Sequence, residues 1–270
     1  MASYLKYGHR HRGGAGLTTD SRDELERAII ASRRRYKEWY VDSGVAGGVA
    51  GNGDSWGGAV LTINAAIVLA NVGDTIYVAE GHAETLSADL ALNKAGVKTI
   101  GFGEGTRRPT FTLSGAGTTI NVTGAGITVQ GCRFLANTLD IASCFTLGAA
   151  AGFCLIDNIF IDNSASLNFL SIVTTNATNN DADGLTVIGN YYLALNTSPA
   201  AFISVLGNLD SLWVVDNHVD SASTADLGGF ITIAALVLRG AWIAYNRFNV
   251  VGATGNTVGI FMTGSSTTNT

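Results

Sequence analysis

Leu185-Thr-Val-Ile-Gly-Asn-Tyr-Tyr192 is one of five segments that align without gaps. The others are Ile127-Thr-Val-Gln-Gly-Cys-Arg-Phe134, Phe153-Cys-Leu-Ile-Asp-Asn-Ile-Phe160, Leu212-Trp-Val-Val-Asp-Asn-His-Val219 and Ala241-Trp-Ile-Ala-Tyr-Asn-Arg-Phe248. Successive segments begin 26, 32, 27 and 29 residues apart, and their sixth position reads Cys132, Asn158, Asn190, Asn217, Asn246. A second strip follows each: Cys144-Phe-Thr-Leu, Phe169-Leu-Ser-Ile, Phe202-Ile-Ser-Val and Phe230-Ile-Thr-Ile, with Val258-Gly-Ile-Phe as a weaker member. Val97 to Phe102 reads as an earlier, degenerate coil. These are short β runs between Gly, Asn, Ser and Thr turns, with no helical period. A strand that recurs every thirty residues or so cannot bury a face alone. Stacked in parallel, such strands share one core. The pattern therefore predicts an all-β fold, a parallel β-helix with residues 97–262 in stacked coils. An amide both donates and accepts, so Asn158, Asn190, Asn217 and Asn246 read as a structural ladder holding one bend.

Side-chain alternation assigns the two faces. Five and three residues before the ladder stand Ile127/Val129, Phe153/Leu155, Leu185/Val187, Leu212/Val214 and Ala241/Ile243. Two residues after it stand Phe134, Phe160, Tyr192, Val219 and Phe248. These columns are expected inside. The opposite parity should face out, yet it carries Ile156, Ile188, Trp213, Val215 and Trp242. Contiguous apolar surface marks contact sites. These five residues are therefore expected to form an oligomer or glycan face, with a homotrimer as the expected assembly.

Composition fits this reading. Of 270 residues, 47 % are apolar and 14 % charged, against about 25 % charged in ordinary domains. Gly is abundant, at 34 residues, but two prolines and no G-X-Y period exclude collagen. No apolar run reaches the length of a membrane span, and the opening MASYLKYGHRHRGG has no apolar core of a secretory signal. Three irregularly spaced cysteines make neither a disulfide framework nor a zinc site. Charge is polarised. Residues 1–40 hold nine Lys or Arg and five acids, whereas residues 99–270 hold five Arg, no Lys and ten acids.

The first hundred residues contain three further parts. Ser21-Arg-Asp-Glu24 is a capping box, and the pattern after it predicts an amphipathic helix over 19–41. Residues 1–42 are thus expected to be a basic docking arm, with Ile29, Arg33, Arg34, Arg35, Tyr36 and Tyr40 meeting a partner. Residues 43–58 read as a Gly-rich linker, and 59–270 as the β-helix. Ile63, Ile67 and Ala70 recur at helical spacing before Gly73, which predicts a helix capping the open end of the core. A strand is expected from Thr75 to Val78.

The run Thr62-Ile…Ala65/Ala66-Ile67…Gly73-Asp-Thr-Ile-Tyr-Val78…Gly81-His-Ala-Glu-Thr85, then Gly96-Val-Lys-Thr-Ile-Gly101-x-Gly103 and Pro109-Thr-Phe, resembles the entry of the pectin-lyase-like superfamily. It is similar to the opening of pectin methylesterases and of β-helical phage proteins. The resemblance implies a right-handed β-helix. It implies no single activity, since the superfamily includes polysaccharide lyases, hydrolases, esterases and non-enzymatic virion proteins.

Catalytic chemistry finds little support. After Arg108 the only basic candidates are Arg133, Arg239 and Arg247, apart from His218, which reads as a turn residue. Asp157/Asp162, Asp181/Asp183 and Asp216/Asp220 are the acid pairs. Asn179-Asn-Asp-Ala-Asp183 has some likeness to a calcium loop but lacks its other ligands and the closing Glu. Asp157 and Asp216 stand two coils apart, about 10 Å by coil spacing, at the long end for an inverting pair. The motifs of polygalacturonases and of the esterases are absent. Gly101-Phe-Gly103-Glu-Gly105 opens no helix and so fails as a phosphate loop. Cys132, Cys144 and Cys154 read as buried free thiols, which fit a reducing cytoplasm. No catalytic residue, metal ligand or cofactor is assigned. The expectation is a phage virion structural protein, a capsid decoration or fibre-like component, made in the host cytoplasm. Its N-terminal arm would anchor it to a capsid or other virion protein, with surface glycan as a further partner and no membrane or nucleic acid. The alternative is a polysaccharide-degrading tailspike or a pectin-lyase-like carbohydrate-active enzyme.

Overall fold

In a computed structural model of the chain, the described residues are 36–45, 51–115, 117–148, 151–195, 201–222, 230–234, 237–250 and 260–262. Of Cys154, Ile156, Phe261 and Met262 only the backbone is described. The chain divides into two compact units, Met1–Lys37 and Glu38–Thr270. In the first, only Tyr36 and Lys37 are described, so Ile29, Arg33, Arg34 and Arg35 lie outside the described residues.

The second unit is a parallel β-solenoid. Three sheets wrap one core, here called A, B and C, with eight, seven and seven strands among the described residues. Each coil contributes one strand to each sheet. The third coil, for example, supplies Ile127–Gln130 to A, Arg133–Ala136 to B and Phe145–Leu147 to C. Neighbouring strands pair in parallel, as in Leu155 with Val187 and Val187 with Val214. The predicted inner columns are buried from Ile127 to Val214 and only partly buried at Ile243. In sheet B, Phe111, Phe134, Phe160, Tyr192, Val219 and Phe248 occupy one register column. The Phe134 and Phe160 rings stack at 5.4 Å with 16° between their planes. Full burial of such a ring contributes about 1.5–3 kcal/mol by transfer alone, so this column supplies much of the cohesion between coils.

The bend from sheet A to sheet B explains the repeat's last letters. The residue before each ladder position lies in the left-handed region: Gly131 at φ 73°, Asp157 at 52°, Gly189 at 69°, Asp216 at 55° and Tyr245 at 58°. Gly and Asp tolerate that conformation well. At Gly131 space adds a second demand, because a Cβ would come within 2.3 Å of the Gly101 carbonyl oxygen.

The cap helix is Ile63–Leu69, the one α-helix among the described residues. Thr62 caps its start, its hydroxyl accepting from the Ala65 amide at 3.3 Å. Its last carbonyls are satisfied from another coil. Lys94 Nζ donates to Ile67 O at 2.7 Å, to Val68 O at 2.9 Å and to Ala70 O, placing a cation at the negative helix end.

Three expectations need correction. Residues 38–41 are not the last turn of a helix. Glu38–Val41 is the first strand of sheet A, paired with Thr75–Val78. Alternation explains it: Trp39 and Val41 are buried, and the Trp39 indole donates to Asp74 Oδ2 at 2.9 Å. Tyr40 consequently belongs to the solenoid and not to an arm ending at residue 42. Nor do residues 51–58 behave as a free linker. Gly53 accepts from the Tyr40 amide at 2.9 Å and donates to Gly58 O at 2.7 Å, covering the edge of that first strand. A third correction concerns register. The strip aligned on Phe169 and Phe202 is displaced by three residues, since Ser171 pairs with Ala201 and Phe169 instead bridges to Ile141. The Asn163–Leu167 turn, within the longest repeat, causes the shift.

Candidate functional site

The asparagine column is structural, and its bonds show why. Asn158, Asn190, Asn217 and Asn246 each accept, through Oδ1, the backbone N–H of the ladder residue one coil earlier, at 3.0–3.1 Å. The amide nitrogens donate to carbonyls of sheet A, such as Val129 O at 2.8 Å and Val187 O at 2.9 Å. They also donate along the column, from Asn190 to Asn217 and from Asn217 to Asn246 at 2.9 Å. Cys132 heads the column. Burial pushes its thiol up to about 12, and that of Cys144 well above its ordinary range. Neither offers a thiolate for chemistry.

The outer face of sheet A is the first candidate surface. Trp213 and Trp242 are 47 % and 52 % exposed, in register, with ring centroids 6.3 Å apart. Ile188, Val215 and Ala244 line the neighbouring outward column, half-buried. The backbone of Ile156 is paired with Ile188, so it belongs to the same column. Tyr245 closes this end, 82 % exposed on a left-handed backbone that bulky side chains rarely adopt. At the other end of the same face lies a second aromatic group that the repeat pattern did not indicate. Tyr40 packs against Trp56 at 4.8 Å and Tyr77 at 5.7 Å, and Phe102 touches both Trp56 and Tyr77. The Tyr40 hydroxyl donates to Glu38 at 2.9 Å, which raises the tyrosine's pKa.

The acid pairs separate into different tasks. Arg108, set two coils earlier, donates to both carboxylate oxygens of Asp157 at 2.9 and 3.0 Å and to its backbone carbonyl. Asp162 instead turns inward. It accepts from the amides of Phe169 and Leu195, at 3.0 and 2.8 Å, and from the Tyr192 hydroxyl. Asp181 accepts from Asn176, and Asp183 from the Asp210 amide, so both organise turns. Among the described residues no three His, Cys, Asp or Glu come together as a metal site.

The remaining polar cluster is on the outer face of sheet B. His218 is a strand residue, not a turn residue as its position after the ladder suggested. Asp220 accepts from Tyr191 at 3.0 Å and Asn249 at 2.9 Å and contacts His218 Nε2 at 3.0 Å. The Asn249 bond leads in holding its carboxyl below the usual range, against partial desolvation. Every oxygen of Asp220 is thus engaged. Arg247 stands beside His218 in register. Inside the solenoid, the void beneath the cap helix measures about 10 Å³, room for one water at most.

Comparisons with protein-family models, with curated proteins and with solved structures return no match.

Proposed function

We propose that the chain is a structural component of a phage particle: a pectin-lyase-like solenoid that self-associates through the outer face of sheet A and is anchored by its basic N-terminal segment. The observation that carries this reading is the Trp213–Trp242 pair, exposed beside a neighbouring outward column in which Ile188, Val215 and Ala244 carry no charge. A protein with that much flat apolar surface tends to bury it. Further copies of the same chain fit best, because each brings an identical uncharged stripe, and a trimer closes the arrangement. The engagement of Asp157 by Arg108 supports a scaffold over a catalyst at that position. The nine Lys or Arg of residues 1–40 support a docking role for that segment on an acidic virion partner, with assembly in the host cytoplasm.

Light scattering on the full chain tests the assembly. The wild type should show three times the chain mass, and Ile188→Asp combined with Val215→Asp should give monomers that still melt cooperatively. A monomeric wild type would overturn self-association. One observation favours a second reading: the Tyr191–His218–Asp220 cluster suits a polysaccharide-cleaving spike. Release of reducing ends or unsaturated uronates from a glycan panel would move the conclusion to that reading.

A further inference from the structure

His82 is the one imidazole in the solenoid with a completely buried side chain, 0 % exposed among the described residues. It joins three pieces of the capped end. Its Nδ1 accepts the backbone N–H of Ser43 at 2.9 Å. That bond requires a bare Nδ1, so the proton sits on Nε2. Nε2 in turn faces Glu84 Oε2 at 3.2 Å, and the same oxygen accepts the Ile63 amide, at 2.8 Å, at the start of the cap helix. Ser43 completes the circuit, its hydroxyl accepting from the Ala83 amide at 3.0 Å. The segment leaving the first strand, the cap helix and the first coil thus meet at one imidazole–carboxylate pair.

From this geometry we propose that His82 is a proton-operated latch holding the strap Glu38–Ser43, through which residues 1–37 connect to the solenoid. Protonation changes its two sides unequally. An imidazolium donates from both nitrogens. Its Nδ1–H, on a ring wholly buried from solvent, then meets the Ser43 N–H, donor against donor. On the other side the imidazolium gains a full ion pair with Glu84, partly desolvated and therefore strong. The proton consequently moves the imidazole's allegiance from the strap to the first coil. The strap opens while Glu84 keeps its hold on the cap helix.

The surroundings favour a local event. Glu84 is the charged group in contact with the ring; the neighbour on the sheet B side is the Phe111 ring at 5.5 Å. Asp42, on the strap, accepts from Gly44 at 2.7 Å, and Glu80, in the preceding turn, pairs with Arg107 at 2.7 Å. Neither of these carboxylates contacts the imidazole. This device is independent of the virion reading: it concerns any partner held through the N-terminal segment.

Amide exchange on the full chain, corrected for intrinsic rates, tests it at about pH 8 and about pH 5. Protection across residues 38–45 should fall about ten- to hundredfold at the lower pH, the loss expected for one buried donor left unpaired. Protection of Phe111 and its strand should hold. In His82→Asn the side-chain oxygen stands where Nδ1 stood and does not titrate, so the strap should stay protected at both values. Glu84→Gln keeps an acceptor for both donors but removes the charge that rewards the imidazolium, and it should move opening to lower pH. Equal strap protection in the wild type at both values would overturn the latch, as would opening of His82→Asn in parallel with the wild type. If His82→Asn is open at both values, Glu84→Gln decides: an unmoved opening pH overturns the proposal.

Discussion

At one end of the solenoid, Ile63, Ala66 and Ile67 of the cap helix are buried on the core, Lys94 closes the helix, and residues 51–60 cover the edge of the first strand. At the other, Ile243, Phe248 and Val250 fill the same kind of inward column yet stay half-exposed, and Ala241 is exposed. The middle coils need neither treatment, because each covers the next. A parallel stack therefore concentrates its vulnerabilities at its termini. The capped end solves them with polar bonds specific to that end. The last described coil keeps the repeat's chemistry with fewer neighbours to act on. The same substitution should then cost different amounts at different coils.

The largest difference is expected in the sheet B aromatic column. Phe160→Ala leaves a cavity between stacked rings and should destabilise by about 3–5 kcal/mol. Phe248→Ala, in the same column but half-exposed, should cost less than half of that. Equal costs in denaturant melts would mean that the last described coil is as well covered as the middle ones.

The ladder gives the next contrast. Asn190→Leu strips the buried Asn158 amide of its acceptor and takes a donor from the Leu155 carbonyl. The cost should be about 1–3 kcal/mol for each group orphaned. Asn246→Leu removes the same kind of bond at a partly exposed rung, where water can substitute, and should cost less. A neutral Asn190→Leu in thermal melts would show that the column contributes no net stability.

The asparagine column and inner faces were legible because both rules act at a fixed offset within each repeat. What escaped was set between coils. The Phe169 strip was misaligned because the turn that shifts it, Asn163–Leu167, is closed by its own local bonds and carries no repeat signal. Glu38–Val41 read as helix because the capped, basic pattern before it ran on without a break, while its real partners, Thr75–Val78 and Asp74, lie more than thirty residues away. His218 was read from its neighbour in sequence, not from Tyr191 and Asn249 on adjoining coils. His82 and Glu84 stood inside a motif that signalled a fold and gave no hint of Ser43 and Ile63 as partners.

Regular stacking of coils in one register is the claim on which the rest depends. Nitroxide side chains placed as unnatural amino acids on the outer column of sheet C test it, away from the face proposed for self-association. Ala91, Asn121, Thr146, Thr174, Ser204 and Thr232 occupy successive rungs there. Labels at 91 and 204 should lie four rungs apart, about 19 Å at the usual strand spacing. Moving the second label to 232 should lengthen the distance by one further rung, about 4.8 Å. Pulsed electron resonance that returns one narrow distance and that increment is the predicted result. A broad distribution, or no lengthening on moving from 204 to 232, would contradict the stacked solenoid.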